Sequence, residues 1–119
     1  MPSDTKARVH QLTSATGQAV AALRFEGDIA STSKDAVLGS YQSLSKETVK
    51  FVLLDFSKVD YINSSGIALI IKMLIEASNS GQKVSTFGFS RHFTKVFTMA
   101  GITKYFQIFP NEVDALAAL

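Results

Sequence analysis

A pair of adjacent hydroxyls followed by glycine, Asn63-Ser64-Ser65-Gly66, stands between a short apolar run and a long amphipathic stretch. Nucleophilic catalysis by such a serine would need a base and an orienting acid. The only histidines are His10 and His92, both read as solvated surface residues, and the serine pair does not have the nucleophile-elbow pattern. A glycine cradle for phosphate is also missing, because the seven glycines are not spaced as in a dinucleotide fingerprint or a P-loop. Asp28, Asp55 and Asp60 fall near the ends of apolar runs, where a lone carboxylate is usually a cap or a turn residue. The serines lie at a strand-to-helix corner. Such a corner presents backbone N–H groups and the positive end of a helix dipole, which a hydroxyl or a phosphate can use. The simpler alternative is that Ser64 and Ser65 cap the helix.

The elements on either side define that corner. Phe51 to Phe56 has five apolar residues among six, the signature of a strand covered on both faces. A polar loop is expected over 57–62. From Ile67 to Ala77 the period becomes helical, with Ile67, Ile70, Ile71 and Leu74 on a core face and Leu69 and Met73 on the far side near Lys72 and Glu76. Those two apolar residues, one turn apart beside the serines, are candidates for a partner contact. Upstream, Ala7–Thr13 and Ala19–Phe25 read as a hairpin, and Gly27-Asp28 ends its second strand. Thr32 to Asp35 has capping-box spacing before a helix carrying Val37, Tyr41 and Leu44 on one face. Downstream the pattern predicts a strand over 83–89 and a helix capped by Ser90. A short strand over 105–109 and a last helix with Val113, Leu116 and Ala117 inward complete it. Strands alternating with helices after a hairpin predict an α/β fold: a mostly parallel central sheet flanked by about four helices.

At 119 residues the chain is one domain's worth, taken as 1–119 with a loose N-terminus over residues 1–6. A net charge of +2, with the 12 Lys and Arg scattered along the chain, leaves no electrostatic footprint for nucleic acid. The absence of cysteine removes disulfides, thiol chemistry and cysteine zinc sites, and no metal or cofactor is expected. No apolar segment reaches membrane-spanning length, and the N-terminus lacks the apolar region of a signal peptide. The expectation is a cytoplasmic protein without membrane insertion.

The stretch from Asp55 to Ala68, centred on Asn63-Ser64-Ser65-Gly66, resembles the signature of the STAS domain, the fold of bacterial anti-sigma-factor antagonists. Ser90 to Ile102 is similar to that family's second conserved helix, and Phe25-Glu26-Gly27-Asp28-Ile29 to the end of its second strand; together the resemblance spans residues 7–118. It implies a STAS-like single domain that is not an enzyme but the substrate of one. The matching phosphoacceptor is Ser64, with Asn63, Ser65, Gly66 and Asp28 supporting it. The implied partners are an anti-sigma-factor serine kinase, which the unmodified protein binds, and a metal-dependent serine phosphatase that resets the switch. Two positions depart from the family pattern: Asn63 stands where an aspartate is usual, and Ala30 where a second acidic residue often follows Asp28. The rival readings are a non-phosphorylated STAS scaffold subunit of a lipid or anion transporter and a small-ligand-binding STAS module.

Overall fold

A computed structural model describes residues 4–99, 101 and 105–119. Strands β1 (Lys6–Thr13) and β2 (Ala19–Ile29) form an antiparallel hairpin in unbroken register from Lys6 opposite Glu26 to Thr13 opposite Ala19. Its turn closes through the Ser14 N–H, which donates to Gln18 C=O at 2.8 Å. The next segment passes through a 3₁₀ turn (Ser31–Ser33), a π-helical stretch (Asp35–Gly39) and a short helix α1 (Ser40–Gln42). There follow β3 (Phe51–Ile62), α2 (Ser64–Asn79), β4 (Lys83–Phe87), α3 (Arg91–Met99), β5 (Gln107–Phe109) and α4 (Glu112–Ala117). The sheet order is β1-β2-β3-β4-β5, and every pair after the hairpin is parallel. This is the expected α/β architecture, with four α-helices among the described residues.

Alternation along the strands divides the interior into two layers. Ala21, Leu23, Phe25, Val52, Leu54, Phe56 and Val84 face α1, α2 and α3 and pack with Val37, Tyr41, Ile70, Leu74 and Phe97. Val20, Ala22, Leu53 and Phe87 face the other way, under α4 and its fully buried Ala115. The central strands are thus buried on both faces where α4 reaches them, as the apolar run 51–56 required.

Several boundaries differ from the expectation. β2 does not end at Gly27-Asp28: it bulges there, with Gly27 at φ +91°, and continues to Ile29. β3 likewise continues through 57–62, because the lengthened β2 supplies its backbone partners; side-chain polarity there marks solvent exposure rather than a loop. Thr32 is exposed and caps nothing; the Ser33 hydroxyl accepts from the Ala30 N–H at 2.9 Å instead. In α4 the inward residue is Ala115, while Val113 is 74% exposed and Ala117 is exposed too. Order also begins earlier than expected at the N-terminus. Lys6 opens β1, and the Thr5 hydroxyl donates to Asp28 C=O at 2.5 Å.

Candidate functional site

The corner between β3 and α2 is built from backbone. The Asn63 N–H donates to Ile29 C=O at 3.1 Å, tying the end of β3 to the end of β2. The first helical hydrogen bond runs from Ile67 N–H to Asn63 C=O at 2.9 Å, so Ser64, Ser65 and Gly66 occupy the first three helical positions. Asn63 Oδ1 accepts from the Gly66 N–H at 2.8 Å and is the cap. Neither serine is therefore used as a cap. Both are exposed, and the N–H groups of Ser64 and Ser65 have no intrahelical acceptor.

Gly66 is required by a close approach. A Cβ there would lie 2.3 Å from the carbonyl oxygen of Ile29 and 2.7 Å from its carbonyl carbon. Two backbones thus meet without an intervening side chain, and this contact fixes the angle at which α2 leaves the sheet. Gly66 closes the corner tightly and does not hold it open.

The surroundings of Ser64 are chemically asymmetric. On the β2 side Asp4, Asp28 and Asp35 line an open hollow of about 480 Å³ together with Thr5, Ala30 and Thr32. On the β4 side Tyr61 is 58% exposed, and its ring lies edge-on to Phe93 with centroids 6.5 Å apart. The ring of exposed His92 is 5.2 Å from that of Phe93.

The proposed contact pair on α2 is corrected. Met73 is only 1% exposed and belongs to the core; Leu69 is half-buried and packs against it. The buried stripe is Gly66, Ile70, Met73, Leu74 and Ala77. It is rotated from the expected face because the segment 31–42 covers α2 on the flank opposite α3. Ile67 and Ile71 become half-buried, and the exposed line is Ser64, Ser65, Ala68, Lys72 and Ile75.

The three aspartates do not converge. Asp28 faces the hollow just described, while Asp60 lines a separate one with Lys6, Glu26 and Lys58. Asp55 is buried on the α4 face: its Oδ1 accepts from the N–H and hydroxyl of Ser57 at 2.9 and 2.6 Å, and its Oδ2 from Arg24 Nη1 at 2.9 Å. Arg24 Nη1 also donates to Glu112 Oε1 at 2.5 Å, and Arg24 Nε to His10 Nδ1 at 2.9 Å. The Glu112 hydrogen bond, with that from Asp55, raises the Arg24 pKa against the opposing effect of burial. This network was missed in the sequence, although an arginine inside the apolar run Val20–Phe25 signals a buried charge that needs partners. It pins α4 to the sheet and has no nucleophile within it. Among the described residues no group of three or more His, Asp or Glu could hold a metal ion, and no helix is long and apolar enough to cross a membrane.

The STAS domain family matches residues 11–115, nearly the whole chain. The chain belongs to the STAS domain family. Solved STAS-like structures share its fold at low identity. An anti-sigma factor antagonist from Mycobacterium paratuberculosis superposes with a TM-score of 0.78 at 16% identity, covering 97% of this chain and 93% of that one. The Bacillus cell fate determinant SpoIIAA in its phosphorylated form gives 0.68 at 15%, covering 92% and 95%. A sulfate transporter family protein from Wolinella succinogenes gives 0.66 at 16%, covering 83% and 82%. The STAS fold is therefore common to regulators and to a transporter protein, and the residues of this STAS domain must carry the functional reading.

Proposed function

We propose that this STAS domain is an anti-sigma-factor antagonist in a partner-switching pathway, with Ser64 as the phosphoacceptor. The observation that carries the reading is the division of labour at the start of α2: Asn63 caps the helix and Gly66 packs it, leaving the Ser64 hydroxyl exposed. A phosphate on Ser64 would add a charge of about −1.5 to −2, next to N–H groups at a helix N-terminus that favour negative charge. It displaces no structural hydrogen bond of the cap. The fold survives modification while the docking surface changes its charge, which is what a binding switch requires. Asn63, Ser65 and Gly66 frame the acceptor, and Asp28 faces the hollow beside it. In this reading the protein is a substrate and binding partner rather than an enzyme. It works in the cytoplasm with an anti-sigma serine kinase and a metal-dependent serine phosphatase. The likeness to a transporter family protein supports a second reading, a docking subunit without a switch.

One experiment separates the two. Incubation with a cognate serine kinase and ATP, followed by peptide mass spectrometry, is expected to place one phosphoryl group on Ser64 and none on Ser64→Ala. Modification confined to other residues, or none with kinases from the same genome, contradicts the switch.

A further inference from the structure

The edge of the sheet that carries Ser64 also carries the start of α3, since β3 and β4 are parallel neighbours and both helices leave from their C-terminal ends. The charged side chains of α3, Arg91 and Lys95, are both basic and both exposed. Neither is in an ion pair among the described residues. Met99, 86% exposed, follows Lys95 by four residues as Lys95 follows Arg91, which puts the three on one stripe about 12 Å long. Tyr61, in ring contact with Phe93, joins that stripe to the serine corner.

We propose that this stripe, with Tyr61 at one end and Met99 at the other, is the docking line for an acidic surface of the serine kinase that modifies Ser64. The inference rests on the Ser64 reading and names the chemistry of its partner. Charge complementarity selects the occupant. The hollow on the other flank of Ser64 is lined by Asp4, Asp28 and Asp35, so acids on a partner are repelled there and drawn to α3. Tyrosine and methionine supply apolar contact at low cost in desolvation, and both are enriched in interface cores. The same arrangement explains how modification ends binding. Arg91 and Lys95 carry two positive charges, and a phosphate at Ser64 of about −1.5 to −2 on the same rim cancels most of their attraction for acids.

The test measures affinity for the kinase that phosphorylates Ser64, by calorimetry at about 50 and 300 mM salt, which spans strong to weak screening. Wild type is compared with Arg91→Glu/Lys95→Glu, Arg91→Gln/Lys95→Gln and Tyr61→Ala, each checked by its melting curve. Charge reversal is expected to weaken binding by at least about tenfold at low salt, with the glutamine pair intermediate and insensitive to salt; Tyr61→Ala should lose about tenfold at both salts. If reversal prevents folding, the glutamine pair and the salt series decide. Variants within about twofold of wild type, with phosphoryl transfer to Ser64 intact, overturn the docking line and leave the Ser64 reading standing. A kinase that modifies Ser64 but binds through a surface all variants retain gives that same result, whereas failure of every kinase to modify wild type overturns both.

Discussion

Replacing Gly66 with alanine tests whether the corner is held by backbone contact. Alanine is the better helix former by roughly 1 kcal/mol at an interior position, so propensity alone predicts stabilisation. The geometry predicts the reverse. The new Cβ would lie 2.3 Å from Ile29 O and 2.7 Å from Ile29 C, and both obstacles are main chain rather than a side chain that can swing aside. Either α2 shifts outward or the end of β2 yields. Overpacking of this kind costs about 1–3 kcal/mol. A shift of α2 also stretches the 2.8 Å cap from Gly66 N–H to Asn63 Oδ1, which is worth about 1 kcal/mol. Less the propensity gain, the net loss is about 1–3 kcal/mol, a fall in Tm of roughly 4–12 °C for a chain of this size. Gly39→Ala is the matched control. Gly39 is helical with nothing within 4 Å of an added Cβ, so alanine there should stabilise by about 0.5–1 kcal/mol. Urea denaturation monitored by circular dichroism compares the two. A Gly66→Ala protein as stable as wild type would refute the close-approach account.

The cap gives a second expectation: Asn63→Ala should lose about 0.5–2 kcal/mol, whereas Asn63→Asp keeps the acceptor, adds charge at the helix N-terminus and should gain about 0.3–1 kcal/mol, both read from denaturation midpoints. Arg24→Met strips the partly buried Asp55 of its cation and frees Glu112. With side chains 25%, 11% and 34% exposed the loss should be about 1–3 kcal/mol, less than for a fully buried pair, and exchange of amides in α4 should accelerate. Tyr41 is buried and donates to Gln82 Oε1 at 2.5 Å; burial raises its pKa above the usual 10.0. Stability from that shift is fully present below pH 10.0 and is lost as pH rises above it, because the unfolded phenol ionises first while the folded one stays neutral. Tyr41→Phe should cost about 1–2 kcal/mol at neutral pH and flatten the alkaline fall in Tm; an equally steep fall would exclude Tyr41 as its source.

The sheet and the helices were legible because the signals are periodic. Phe51–Phe56, the 3.6-residue pattern of α2 and the Ser90 cap all mark elements that exist, and the Phe93 N–H does bond the Ser90 hydroxyl at 3.2 Å. What failed was decided by neighbours distant in sequence. The polarity of 57–62 suggested a loop, yet these residues extend β3 because β2 runs on beside them. Met73 was placed outward on a helical wheel, but which arc of α2 is covered depends on where the segment 31–42 packs. The serine corner could be located from Asn63-Ser64-Ser65-Gly66, while the assignment of the cap to Asn63 required the hydrogen bond itself. Tyr61 and Phe93 lie 32 residues apart, and nothing in either segment announces their contact. The part of the second conserved helix beyond Met99, at Ala100 and Ile102, lies outside the described residues.

The most direct test of the switch compares this protein carrying phosphoserine at position 64 with the unmodified form in one titration against its kinase, alongside the two melting curves. The account predicts binding for the unmodified protein alone and melting curves that superpose within about 2 °C. Equal binding by both forms, or a phosphorylated protein that has lost its cooperative melt, would contradict it.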